Sequence, residues 1–475
     1  MSPVPPDAKP DAPRDTGPDA PRDTGPDAVT LASDIRAGRT SAAEAVDAHL
    51  ARIAARNPHL NALTVVFDDR ARRAADEIDR ALARGDDPGP LAGVPISVKE
   101  NIDLTWSATT EGWAGAADAI PVRDATIVAR MRAAGAIPIG RGNMPDFGMR
   151  WDTDNDLFGR TLNPFDASRT TFGSSGGDAV AVATGMSDIG LGNDFGGSIR
   201  LPAQALGICG LRPSLGRVPR AAVDELPVAL TLQRFAVNGI LARSIADLEA
   251  SLQIVAGVDI DDPVSLALPP VAGYDGPRRV AVTRDPLGWG VAPEVAAGID
   301  RAAAALRRAG WQVDEIEPPH LEEAFTLMRR LAVTEMSGGA LPSPLGRSAD
   351  RFMRDSAQAT RPFATAADYA AAWARRLVIE ASWRRLQAEN PVILGPVGTD
   401  GIPPVDFDLG GPAQATAAWR MFRLVVVVNF LGLPAVAVPT GLGADGLPTG
   451  VQLIGPMHGE SAALAAARDV EARVG

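Results

Sequence analysis

Cysteine, histidine and lysine are scarce in this chain, and each scarcity removes a class of chemistry. The one cysteine, Cys209, leaves no intrachain disulfide and no thiolate metal cluster, and its GICG context reads as a small buried apolar residue. The four histidines, His49, His59, His320 and His458, form no HExxH or HxH pair, so no metal and no cofactor is implied. Lysine stands only at Lys9 and Lys99; the remaining 44 of the 46 basic residues are arginine. Long apolar runs are missing too. The longest, Val425 to Val438 (VVVVNFLGLPAVAV), is too short for a membrane span and is interrupted by Asn429, Gly432 and Pro434. It reads as a buried strand, a turn and a second strand. No basic segment followed by an apolar one opens the chain, so no secretory signal is expected, and the cysteine usage fits a reducing cytoplasm. A net charge of −12 speaks against nucleic acid and against an anionic membrane surface as partners, leaving small molecules.

What is present is a long body behind a repetitive leader. Residues 11–26 are two copies of DAPRDTGP, too rich in Pro, Asp and Gly to bury apolar surface, so residues 1–27 are expected to be a disordered, low-complexity leader. Residues 28–475 are read as one domain, with no convincing internal linker. A capping box, Ser41 with Glu44, predicts a helix running to about Asn57, and a second Ala/Arg helix is expected near Arg70 to Arg84. Val94, Ile96 and Val98 alternate as in a strand, which places Lys99 at a strand end. A helix over 125–134, a strand over 136–139, strands near 279–283 and 313–316 and a helix over 293–309 continue an α/β grammar.

The densest chemistry lies between Thr171 and Pro219. Two Gly-Ser clusters, GSSGG at 173–177 and DFGGS at 194–198, flank an Ala/Val segment. Glycine-rich turns leave amide N–H groups uncovered, as anion or oxyanion binding requires, and a serine beside such a nest could attack a carbonyl. Neither cluster matches GxxxxGK[ST] or GxGxxG, which disfavours nucleotide binding. A Ser-His-Asp site would lack the GxSxG elbow and would find no histidine between His59 and His320. A serine hydrolase here needs another base. Lys99 is the unusual candidate, because arginine stays protonated in a protein whereas a buried ammonium can lose its proton near neutral pH.

Taken together, VPISVKENID, TTEG, RGNMPDFG, GSSGG, DFGGSIRLPA, LRPSLGRVP and the C-terminal NFLGLPAVAVPTG resemble, in order and over nearly all of 28–475, the amidase signature hydrolases. The resemblance implies an α/β fold with a large mixed, twisted sheet covered by helices. It implies a Ser-Ser-Lys triad: Ser198 as nucleophile, Ser174 as bridging serine behind a cis peptide bond, and Lys99 as the base. Ser174 lies 24 residues before Ser198, the family spacing, which Ser175 does not fit. Backbone N–H groups of Phe195, Gly196 and Gly197 would form the oxyanion hole. Asp194 and Arg200 would pair to brace the nucleophile loop. Glu100 and Asp103 read as solvated or structural, and Met144, Trp151 and Phe195 as either acyl-pocket lining or core.

Phe172, Asp178 and Asn193 depart from the family pattern, which usually has Gly, Ser or Glu, and Thr or Ser at these places. Arg141 and Arg212 stand where the family often carries lysine. The implied activity is hydrolysis of a carboxylic amide to acid plus ammonia or amine. A glutaminase subunit of a tRNA-dependent amidotransferase, an acyl-transferring amide synthase and a catalytically silent binding protein are the alternatives. The implied partner is a small-molecule amide, with homo-oligomerisation left open. The substrate would be selected by variable segments at 226–235 and 321–411.

Overall fold

The computed structural model describes residues 24–220, 229–339, 341 and 344–474. The first predicted signal is realised atom by atom. The Ser41 hydroxyl accepts from the Glu44 N–H, the Glu44 carboxylate accepts from the Ser41 N–H, and the helix Ala42–Leu60 follows. It ends at Asn61 in the left-handed region, a few residues beyond the expected Asn57. The other expected helices form over Asp68–Ala83, Thr126–Ala133 and Pro293–Arg308.

Eleven strands make one mixed sheet. In chain order they are β1 (Leu63–Val66), β2 (Pro95–Lys99), β3 (Ile137–Gly142), β4 (Ile189–Asp194), β5 (Cys209–Arg212), β6 (Val237–Ala242), β7 (Arg279–Val282), β8 (Gln312–Glu315), β9 (Val392–Pro396), β10 (Ala435–Leu442) and β11 (Pro448–Ile454). Their spatial order is β1-β3-β2-β4-β6-β5-β10-β11-β9-β7-β8. Parallel pairs, β3 with β2 with β4 and β9 with β7 with β8, sit on either side of an antiparallel centre. The inner strands β2, β3, β5, β6, β9 and β11 are buried along their whole length, whereas the edge strands β1 and β8 are partly exposed. Ile96, Val98, Leu191, Leu211, Val436 and Leu453 pack into one core with the helices Ile245–Val255, Pro293–Arg308 and Glu460–Val474. A second core holds the helices Gly176–Ala183, Arg200–Leu206 and Arg423–Leu431.

The last of these helices corrects the sequence reading. The run from Val425 was expected to be strand, turn, strand, but Arg423–Leu431 is helical and only Ala435–Leu442 is a strand. Every residue from Arg423 to Leu431 is buried, so burial on all sides outweighs the β preference of four consecutive valines. Gly432, at φ 73°, supplies the left-handed cap. The leader falls outside the described residues except for 24–27, of which Asp27 caps the helix Ala28–Arg36 by accepting from Thr30 N–H. Among the described residues no helix is long and apolar enough to cross a membrane.

Candidate active site

Lys99 closes β2 and Asp194 closes β4, and the two strands are parallel neighbours. Their carboxyl ends therefore meet at one rim of the sheet, the place where open α/β sheets gather ligand-binding groups. The loop after β4 carries Ser198 and enters the helix Arg200–Leu206, while Ser174 and Ser175 precede the helix Gly176–Ala183. The Gly173–Ser174 peptide is cis. The two serine turns are joined by a backbone hydrogen bond in which Ser175 N–H donates to the Ser198 carbonyl at 3.2 Å.

Lys99 has no exposed surface, and its ammonium donates to Ser174 Oγ at 2.7 Å and to Asn193 Oδ1 at 2.8 Å. Burial pulls this amine down to about 7, against the charges of Asp178, Glu111 and Asp194, which favour the ammonium. Ser174 and Ser198 are themselves buried, at 2% and 5% exposure. Gly148, at φ 68°, is required beside them. A Cβ there would stand 2.9 Å from Ser174 Oγ, in a backbone conformation that side chains disfavour.

The loop that carries Ser198 is held by one carboxylate. Asp194 accepts from Gly197 N–H at 2.9 Å, from Arg200 Nε and Nη2 at 3.0 Å each, and from Asn429 Nδ2 at 2.8 Å. Burial works to raise this carboxyl. The Arg200 charge and its hydrogen bonds, with Arg212 and Asn429, outweigh that and hold it far below the usual carboxylate range. The expected Asp194–Arg200 pair is thus present at 3.0 Å, fully buried. Arg212 joins the clamp by donating to the backbone carbonyls of Asp194 and Phe235.

Of the three N–H groups expected to form an oxyanion hole, that of Gly197 has a partner within the protein. The Gly196–Gly197 peptide is engaged at both ends, its carbonyl accepting from Trp151 Nε1 at 2.9 Å and its N–H donating to Asp194. Gly197 has a φ of 100°, and a Cβ there would lie 2.7 Å from Leu201 Cδ1.

The order of the motifs and this geometry agree with a match of residues 44–464 to the amidase family model. The chain belongs to the amidase family. This amidase is 36% identical to an indoleacetamide hydrolase of Bradyrhizobium diazoefficiens, over 94% of its own length and 86% of that protein. It is 31% identical to one component of the glutamyl-tRNA(Gln) amidotransferase of Synechococcus sp. (strain RCC307), over 92% and 95%. The solved structure of 6-aminohexanoate cyclic dimer hydrolase complexed with substrate superposes at a TM-score of 0.82 and 28% identity, covering 95% of this amidase and 98% of that chain. The large mixed sheet and the amide-hydrolysing character of the enzyme stand on these likenesses.

The three departures acquire physical content. Phe172 adopts φ 55°, a conformation that costs a side chain and suits glycine, yet its ring is fully buried against Phe407 and Phe422 at centroid distances of 5.8 and 5.6 Å. Asp178 is buried, accepts from Ser97 Oγ at 2.8 Å, and is pushed up by burial while Ser97, Lys99 and Arg141 pull it back. Asn193 is a direct partner of Lys99. Glu100 is structural: fully buried, it accepts from Thr110 Oγ1 at 2.6 Å and from Thr64 Oγ1. Asp103 offers its carbonyl to Ala125 N–H. Met144 is fully buried and Trp151 nearly so. Residues 226–228 of one expected pocket segment lie outside those described. Asn429 was missed, although a single amide inside a buried apolar run signals a specific partner, since an unpaired one is costly.

Proposed function

We propose that this amidase hydrolyses a carboxylic amide through an acyl-enzyme on Ser198, with Ser174 and Lys99 completing a Ser-Ser-Lys triad. The 2.7 Å contact between a fully buried lysine and the Ser174 hydroxyl carries the reading. Neutral Lys99 takes the Ser174 proton as Ser174 takes that of Ser198, because a hydroxyl can accept one proton while giving another. Ser198 Oγ then adds to the amide carbonyl, and the developing oxyanion is received by the N–H groups of Phe195 and Gly196. The ammonium returns its proton through Ser174 to the departing nitrogen, and the C–N bond breaks. Water, deprotonated by the same relay, cleaves the ester and releases the acid.

An aromatic surround supports an aryl acyl group. Trp151, bonded to the Gly196 carbonyl, packs against Trp419 and Phe422 at 4.8 Å each and Phe352 at 5.6 Å, and Phe195 lies 6.0 Å from Phe235. With the likeness to an indoleacetamide hydrolase, this favours a primary arylacetamide, releasing ammonia. A panel of indole-3-acetamide, phenylacetamide, acetamide and glutamine, assayed for ammonia with wild type and Ser198→Ala, tests it. Turnover of the aryl amides by wild type alone is expected; retention by Ser198→Ala would end the proposal. The likeness to an amidotransferase component supports a second reading, a glutaminase that hands ammonia to a partner. Native co-purification of a partner, with glutamine preferred over aryl amides, would favour it.

A further inference from the structure

Asn193 stands where the family pattern has Thr or Ser, and its carboxamide is fixed at both ends. Oδ1 accepts from Lys99 Nζ at 2.8 Å, and Nδ2 donates to Asn101 Oδ1 at 2.7 Å. The direction of this chain is set at Lys99. An ammonium only donates, so Asn193 must present its oxygen to Lys99 and its NH2 to Asn101. With the Asn193 NH2 turned away from Lys99, Asn101 presents its oxygen to that group. Beyond Asn101 lies Glu111, whose carboxyl burial pushes up to about 7 while Arg220, Lys99 and Asn101 pull it back.

We propose that Asn193, held by Asn101, is a positioning residue for the general base: it fixes the rotation of the Lys99 amine so that the lone pair points at Ser174 Oγ. The inference rests on the Ser-Ser-Lys reading above. A neutral amine has two N–H bonds and one lone pair. With Ser174 and Asn193 both at hydrogen-bonding distance, it can accept from the Ser174 hydroxyl only if an N–H is committed to Asn193. A rotatable threonine hydroxyl, able to donate as well as accept, would allow the amine to turn its lone pair the other way. The carboxamide oxygen does not.

An acceptor at Lys99 also stabilises the ammonium more than the amine, so Asn193 shapes the pH dependence of the base together with the charges around it. Those are Asp178 on the helix Gly176–Ala183, Glu111 in the loop after β2, Asp194 at the end of β4 and Arg220 in the loop after β5. The first three favour the ammonium, and Arg220 opposes it.

The test reads the rate at which an alkyl fluorophosphonate labels Ser198, from pH 5 to 9, in Asn193→Ala, Asn193→Asp and Asn193→Thr, with Lys99→Ala and Ser198→Ala in parallel. Asn193→Ala is expected to lower the plateau rate by about 10- to 100-fold through misdirection of the base, and to move the acidic limb to lower pH. Asn193→Asp, which matches the native side chain in size and guards against misfolding, is expected to move that limb to higher pH. Asn193→Thr is expected to fall between wild type and Ala. A role confined to packing would lower the amount of active protein and leave the limb in place. Limbs unmoved in both Ala and Asp variants, with Lys99→Ala inactive, would overturn the positioning role alone. Full labelling in Lys99→Ala would overturn the triad and this inference with it.

Discussion

Asp194→Asn removes one charge and keeps the shape, and the structure specifies its cost. Every neighbour of the carboxylate is a donor: Gly197 N–H and Asn429 Nδ2 at Oδ1, Ile199 N–H at Oδ2, and the Arg200 guanidinium across both. A carboxamide in either orientation turns its NH2 against some of these donors. It also leaves Arg200 and Arg212, both fully buried, without their counter-charge. Removing one partner of such a buried pair costs about 3–5 kcal/mol, most of it the penalty of an uncompensated charge. The loop that carries Ser198 hangs on the same bonds, so labelling by a fluorophosphonate should fall together with stability. Urea unfolding followed by tryptophan fluorescence measures the first quantity. The pH dependence has a definite sign. The folded carboxyl titrates below its unfolded counterpart, so its stabilisation is complete above the unfolded pKa of about 4 and is lost as pH falls toward the depressed folded value. Wild type should therefore lose stability below pH 4 more steeply than the Asn variant. A cost under about 1 kcal/mol, with unchanged labelling, would refute the clamp.

Other perturbations separate neighbouring effects. Phe172→Gly relieves a left-handed residue, about 1–2 kcal/mol, but removes a buried ring worth about 3–5 kcal/mol, so urea unfolding should report a net loss; a gain would show that backbone strain dominates. Asp178→Ser takes away a carboxylate that favours the Lys99 ammonium, so the acidic limb of kcat/KM against pH should move to lower pH, and an upward shift would contradict the assigned electrostatics. Gly197→Ala places a methyl 2.7 Å from Leu201 at φ 100° and should suppress labelling of Ser198, whereas wild-type labelling would show that the loop can yield.

Local signals were legible where one short stretch of sequence contains its own explanation. The Ser41–Glu44 box, the alternation that ends at Lys99 and the two Gly-Ser turns each announce a structure closed within a few residues. The helix at Arg423–Leu431 was not legible, because its valines favour a strand and only burial on every side makes it a helix. Asn429 reaches Asp194 across 235 positions, and Asn193 reaches Asn101 across 92, distances over which no spacing rule operates. Gly197 shows the same limit at close range. The motif names a backbone donor, but the carboxylate three residues earlier decides where that donor points.

The central claim is that a neutral Lys99, acting through Ser174, activates Ser198. Lys99→Arg tests it most directly, because arginine keeps the positive charge and cannot supply a neutral amine. Fluorophosphonate labelling of Ser198 in this variant, with folding checked by urea unfolding, should fall by about 10²–10⁴-fold, the contribution of a general base. Labelling within about tenfold of wild type, a difference of only about 1.4 kcal/mol, would contradict the account, since the charge alone would then suffice.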